Sequence, residues 1–271
     1  MTDGPTPARV PAVPVAGHDL LAGKVVLVTA AAGTGIGFST AERCAEEGAA
    51  VVISDIHERR LKEAADRLEE SSGRRPLTAL CDVTSEDDVE SLFNAAIREH
   101  GRVDVLVNNA GLGGTADLVD MTDEQWSRVL DITLNGTFRC TRAALRHMKD
   151  RHERGDSGGA IVNNASVLGW RAQPGQSHYA AAKAGVMALT RCAALEAAAF
   201  GVRINAVAPS LAMHPFLAKV TTEELLEDLT SREAFGRAAE PWEVANVIVF
   251  LASGYSGYLT GEVISVSSQH A

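Results

Sequence analysis

The chain has 271 residues, 46% hydrophobic and 22% charged, the make-up of globular material sufficient for one large α/β domain. A formal net charge of −10 argues against a nucleic-acid binder, whose contact face is basic. No apolar run approaches the ~18 residues of a membrane span.

Residues 1–20 carry Pro5, Pro7, Pro11 and Pro14 and lack both a charged n-region and an apolar h-region. They read as a flexible Pro-rich arm and not as a secretory signal, which makes the cytoplasm the expected compartment. From there to residue 271 one nucleotide-binding domain is expected. Short β-branched runs at Lys24–Ala30, Ala50–Ser54, Leu77–Cys81, Val103–Asn108, Ala160–Asn164 and Val202–Val207 read as strands, followed by Val263–Val266. Between them the 3.6-residue period predicts helices over Gly37–Glu47, Glu58–Glu70, Glu86–His100, Asp123–Arg151, Ser177–Phe200 and Pro241–Ser253. Such alternation predicts an α/β, Rossmann-type, doubly wound sheet of seven parallel strands in the order 3-2-1-4-5-6-7, with helices on both faces. The acidic stretch 210–239, helical around Thr222–Leu229, is positioned to serve as a substrate lid over the strand ends.

The first strand runs into Thr29-Ala-Ala-Ala-Gly33-Thr34-Gly35-Ile36-Gly37 and then a helix. Ala32, Gly33, Thr34, Gly35 and Ile36 form a turn whose bare backbone and following helix N-terminus suit a pyrophosphate. Asp55, 18 residues past Gly37, ends the second strand, where a carboxylate accepts from ribose hydroxyls and repels a 2′-phosphate. NAD is therefore expected over NADP. Arg59 and Arg60 could oppose that preference, yet they lie in an acid-rich helix where solvated ion pairing is their blander role.

Tyr179-Ala-Ala-Ala-Lys183 places a phenol and an ammonium one turn apart on one helix face. The ammonium is expected to lower the phenol's pKa, as a tyrosine base requires. Ser166, 13 residues earlier at the exit of the fifth strand, offers a hydroxyl for the reacting oxygen. Ser166, Tyr179 and Lys183 form the candidate catalytic set. His178 points about 100° away from Tyr179 along the helix, which predicts a surface or neighbouring-subunit role. The four cysteines show no paired spacing and read as small core residues, and no histidine spacing supports a metal. Asn164-Ala-Ser166 matches a glycosylation sequon without meaning for a cytoplasmic chain.

These motifs resemble the short-chain dehydrogenase/reductase family from Leu21 to about Ser268. Cys81-Asp82-Val83, Asn108-Asn109-Ala110-Gly111, Asn205-Ala-Val-Ala-Pro209 and Thr260-Gly-Glu262 strengthen the likeness. The resemblance implies that Asp82 and Val83 contact the adenine and that Asn109, Ala110 and Gly111 line the cofactor. It implies that Tyr179 is the acid/base and Ser166 orients the substrate oxygen, while Lys183 binds the nicotinamide ribose and tunes the tyrosine. Pro209, Ala212 and His214 would cover the nicotinamide, and a homotetramer would form through the long helices.

The sequence departs from the family pattern at four places. Ala30 stands for a glycine in a loop one residue longer than usual, with Gly33 as its expected replacement. Thr133 stands for the family's helix asparagine. Asn135 lies roughly 200° around the helix and cannot substitute for it. The hydroxyl of Thr133 is expected to do little, a backbone carbonyl holding any water there. Ser210 and His214 replace the usual residues after Pro209, and Ser267-Ser268-Gln269 the usual terminal D-G-G. Val167–Gln173 and Phe235–Trp242 are similar to a bacterial branch of steroid-ring catabolism acting on CoA thioesters.

The reaction expected is secondary alcohol to ketone interconversion on a small molecule, including such a ring-derived thioester. The rivals are an NADPH-dependent 3-oxoacyl thioester reductase and an NAD(H)-sensing binding protein. The intact Ser–Tyr–Lys set speaks against the sensor. Asp55, and the absence of arginine from the glycine loop, speak against NADPH.

Overall fold

Parallel strands buried on both faces need apolar side chains at every position, and the four residues of β1 (Val25–Val28) are all buried. Residues 14–213 and 223–268 are described by the computed structural model. Most of the Pro-rich arm, His214 and Gln269 fall outside them. β1 pairs with β2 (Ala50–Asp55) on one side and β4 (Val105–Asn108) on the other. The sheet continues to β3 (Leu77–Leu80) at one edge. At the other it runs through β5 (Gly159–Asn164) and β6 (Val202–Pro209) to β7 (Val263–Val266). All pairs are parallel and the order is 3-2-1-4-5-6-7, as expected.

The two-residue period of β1 divides the core. Val26 and Val28 pack with Phe38 and Ala41 of α1 (Ile36–Glu46), Leu61 and Leu68 of α2 (Glu58–Ser72) and Val244 and Ile248 of a later helix (Pro241–Ala252). Val25 and Leu27 face the opposite layer. There they meet Leu92 of α3 (Glu86–His100) together with residues of two helices named below.

The expected helix Asp123–Arg151 runs unbroken from Asp123 to Glu153 but widens once along its length. It comprises α4 (Asp123–Leu130), a π turn at Asp131–Asn135, and α5 (Gly136–Glu153), which supplies Met148 to the second layer. Within the π turn the Thr133 hydroxyl accepts from Leu112 N–H (3.0 Å) and donates to Leu112 C=O (3.3 Å). Thr133 is fully buried, so its hydroxyl does considerably more than the sequence suggests. α6 (Ser177–Ala197) completes that layer through Ala193 and Ala194. In the segment after β6, the expected helix appears as α7 (Glu223–Ser231), and Pro241–Ala252 is α8. The segment leaves and returns at one point: Ala212 bridges Ala239, and buried Glu233 accepts from the Ser268 N–H and hydroxyl.

Ala30 takes the left-handed conformation itself (φ 51°), a region that costs an L-residue ~1–2 kcal/mol. Gly33 does not stand in for the missing glycine, because its backbone stays out of that region. Ala30→Gly should therefore stabilise the fold by up to ~1 kcal/mol, the relieved strain exceeding glycine's extra chain entropy. Urea unfolding measures this, and a destabilised variant would refute the strain argument.

Candidate active site

Because every strand is parallel, the segments after β1 to β6 emerge along one edge of the sheet. That edge carries the glycine loop, Asp55, Asp82–Val83, Asn109–Gly111, Ser166 and Pro209–Ala212. The N-terminus of α1 follows Gly35 with no side-chain cap, so its first N–H groups remain available to an anion. Gly37 must be glycine: a Cβ there would stand 2.3 Å from Asn109 Nδ2 and 2.5 Å from the Ala30 carbonyl. Asp55 accepts from Ala32 N–H (3.3 Å) and from His57 N–H (3.1 Å). Burial holds its carboxyl above the ordinary value, opposed by the Ala32 bond and the Arg60 guanidinium 4.0 Å away. Arg59 pairs with Glu63 as expected, whereas Arg60 turns toward Asp55. The bare loop, the uncapped helix end and a carboxylate with unused acceptor capacity fit a dinucleotide.

Asp82 is exposed, its carboxylate accepting from the Thr84 N–H (2.9 Å) and hydroxyl (2.7 Å), while Val83 is buried against Gly136. Ala110 N–H and Asn109 N–H both donate to Thr29 Oγ1 at 3.0 Å, which fixes Asn109–Gly111 beside the first loop. Ala212 is buried at the bridge to Ala239, just beyond Pro209.

The Ser166 hydroxyl acts on the Tyr179 phenol, favouring its ionised form, and Ser166 Oγ accepts from Leu168 N–H at 3.2 Å, which fixes its rotamer. The Lys183 ammonium lies 5.5 Å from the Tyr179 ring centroid and donates to the Asn164 carbonyl. The electrostatics differ from expectation. Burial raises the Tyr179 pKa, and the Ser166 hydroxyl, not the ammonium, is what opposes it. Burial also brings Lys183 down to about 8. Burial thus favours the neutral form of both the Tyr179 phenol and the Lys183 amine.

His178 is buried, not at the surface: it is 2% exposed, with Nε2 close to Gly114 and Nδ1 without a hydrogen-bond partner. The segment over it is stitched to the start of α6 by Ala116 N–H to Gly175 C=O (3.0 Å) and Gln176 to Thr115 (3.1 Å). Burial pushes the Cys44 and Cys81 thiols up to about 12, and Cys140 is buried as well. Cys192, however, is exposed, against the expectation that all four pack in the core. Trp170 is about half-exposed beside Ser166. Sequence reasoning missed two residues. Arg67 stacks on Phe38 at 3.8 Å and reaches the Gly33 carbonyl at 3.5 Å, a contact spanning 34 residues with no local signal. Asn164, read only as part of a sequon, joins Lys183 to Asn109.

Thr133→Val removes both bonds to Leu112 and leaves two backbone groups unmatched, at ~1–3 kcal/mol each. Melting temperature should fall while turnover drops less than tenfold, because the hydroxyl is committed to Leu112. A larger turnover loss at unchanged stability would place this hydroxyl in the chemistry.

The chain belongs to the short-chain dehydrogenase/reductase family of oxidoreductases. The family model described as Enoyl-(Acyl carrier protein) reductase matches residues 30–268. Among relatives, it is 64% identical over 256 residues to (5R,7aS)-5-hydroxy-7a-methyl-1-oxo-2,3,5,6,7,7a-hexahydro-1H-indene-carboxyl-CoA reductase of Mycobacterium tuberculosis, covering 94% of this chain and 96% of the relative. It is 42% identical to cis-4-hydroxycyclohexanecarboxylate dehydrogenase of Sinomonas cyclohexanicum, covering 92% and 96%. The crystal structure of a short chain dehydrogenase from Mycobacterium smegmatis superposes with a TM-score of 0.84 at 59% identity, covering 96% and 98%. Among the described residues, no helix is long and apolar enough to cross a membrane. No three His, Cys, Asp or Glu side chains among them gather as a metal site.

Proposed function

We propose that the protein interconverts a secondary alcohol and a ketone on a ring-bearing CoA thioester, with NAD as the preferred cofactor. The observation that carries this reading is the grouping of Ser166, just past β5, with Tyr179 and Lys183 of α6, the ammonium 5.5 Å from the phenol ring centroid. The ring and the thioester come from the relatives' printed substrates, a hexahydroindene-carboxyl-CoA and a hydroxycyclohexanecarboxylate.

A bound nicotinamide supplies the hydride acceptor or donor. In reduction, Ser166 holds the carbonyl oxygen and the Tyr179 phenol gives it a proton as negative charge develops there. In oxidation, Tyr179 as phenolate takes the hydroxyl proton. Lys183, its ammonium 5.5 Å from the ring centroid, would stabilise that phenolate by its positive charge. Asp82, Val83, Ala110, Gly111, Pro209 and Ala212 would wall the cofactor, and α4, α5 and α6 would carry the subunit contacts of a tetramer. Trp126, Phe138 and Leu195 are exposed on those helices, and light scattering reads the assembly.

Asp55 supports NAD over NADP. A 2′-phosphate brings about −1.5 to −2 charge beside its carboxylate. One like pair at ~4 Å costs on the order of 4 kcal/mol at an effective dielectric of 20. Even halved by screening, this disfavours NADP more than tenfold. Arg60 is the counterweight, but it already leans on Asp55. NAD should be preferred at least tenfold in kcat/KM, with Asp55→Ala narrowing the gap mainly by improving NADP. Initial rates with both cofactors, against cyclic alcohols and hydroxyacyl-CoA thioesters, test the reading. Wild-type preference for NADP and straight-chain 3-oxoacyl thioesters would overturn it.

A further inference from the structure

Asn164 closes β5 and faces two ways. Its backbone carbonyl accepts the Lys183 ammonium, and its side-chain amide donates to Asn109 Oδ1 at 3.0 Å. Asn109 in turn donates through Nδ2 to the carbonyls of Ala30 (3.0 Å) and Thr29 (3.2 Å). Those two acceptors fix which way the Asn109 amide points, so its Oδ1 is left for Asn164. The turn gripped in this way is the one in which Ala30 sits at φ 51°.

The other atom of the Asn164 amide carries the second argument. Its Oδ1 is buried and has no hydrogen-bond partner. A buried acceptor left unmatched costs stability that an apolar side chain of the same shape avoids. Among the described residues, the side-chain bond that offsets this cost is the one to Asn109. An apolar residue at this half-buried strand end would avoid that cost.

We infer that Asn164 is a positioning residue that joins Lys183 to the glycine loop, so that the lysine's placement and the strained Ala30 turn are held as one unit. The path is continuous: Lys183 ammonium, Asn164 carbonyl, Asn164 amide, Asn109 amide, Ala30 and Thr29 carbonyls. Moving the loop moves Asn109 and pulls on the strand end that carries the lysine's acceptor. This inference rests on the roles given above to Lys183 and the loop.

The test is Asn164→Leu in the full chain, which keeps the volume and the backbone carbonyl and removes the donor. NAD binding is read without substrate by quenching of tryptophan fluorescence, beside turnover and thermal unfolding. Losing one such bond should weaken NAD binding roughly five- to tenfold and lower kcat by a similar factor. The melting temperature should hold, since the unmatched Asn164 Oδ1 is gone while Asn109 Oδ1 loses its donor. Adding Ala30→Gly should restore binding to within about twofold of Ala30→Gly alone, because glycine holds the turn without Asn109's grip. A purely structural role predicts the opposite: a lower melting temperature, unchanged affinity and no rescue. Wild-type affinity and turnover in Asn164→Leu, or a double variant as weak as Asn164→Leu, would overturn the inference. Should Asn164→Leu not fold, Asn164→Ser is measured in the same way against the same outcomes. A wild-type chain that binds neither NAD nor NADP would refute the proposed function instead, which keeps the two failures apart.

Discussion

Tyr179→Phe should bind NAD within about twofold of the wild type and lose at least ~10²–10⁴-fold in turnover, the range for a removed general acid/base. The substitution deletes one oxygen from a part-buried ring and leaves the ring's packing in place. Ser166 keeps its bond from Leu168, so the hydroxyl stays where the substrate oxygen would be held. The loss should fall on kcat in both directions, since one phenol both gives and takes the proton. Fluorescence titration and steady-state rates on the same preparation separate binding from chemistry. Activity within tenfold of wild type would remove Tyr179 from the reaction.

Lys183→Met should lower turnover by at least a hundredfold and weaken NAD binding as well, because the lysine is assigned both the phenol and the ribose. A change in only one of the two would mean that the other role is misassigned. A stability signature accompanies it. Burial puts the folded-state pKa of Lys183 at about 8, below the ordinary 10.5. Between these values the unfolded chain binds a proton that the folded chain does not, so stability rises with pH across that window. Below pH 8 both states are protonated and the buried charge costs its full amount. Urea unfolding of wild type and Lys183→Met should therefore show the wild type gaining on the variant from pH 7.5 to 9.5. A difference that stays constant with pH would mean the ammonium is not desolvated as the fold suggests.

Strand positions and their order were readable because buried parallel strands are written as unbroken β-branched runs, and the spacing of Tyr179 and Lys183 needs only helical geometry. What was not readable came from contacts across the chain. The π turn at Asp131–Asn135 carries the bonds between Thr133 and Leu112, 21 residues apart, and no local pattern within Asp123–Arg151 announces those bonds. The left-handed Ala30 depends on Asn109, about 80 residues on. The position of His178 on its helix was correct, but a helical wheel cannot show that Gly114 and its neighbours lie over it. The same holds for Tyr179, whose pKa is governed by burial that no local motif encodes.

The excursion after β6 enters through Leu211–Met213 and leaves at Ala239, with the two ends hydrogen-bonded to each other. A segment whose ends already touch is a cassette: its length and composition can change while the sheet sees the same two anchor points. Glu233, fastened to Ser268, serves as its latch. Exchange of residues 214–232 between relatives, with Glu233 kept in place, should then leave the seven strands and the Ser–Tyr–Lys row as they are. Sequence variation confined between two fixed anchors is what such a graft point permits.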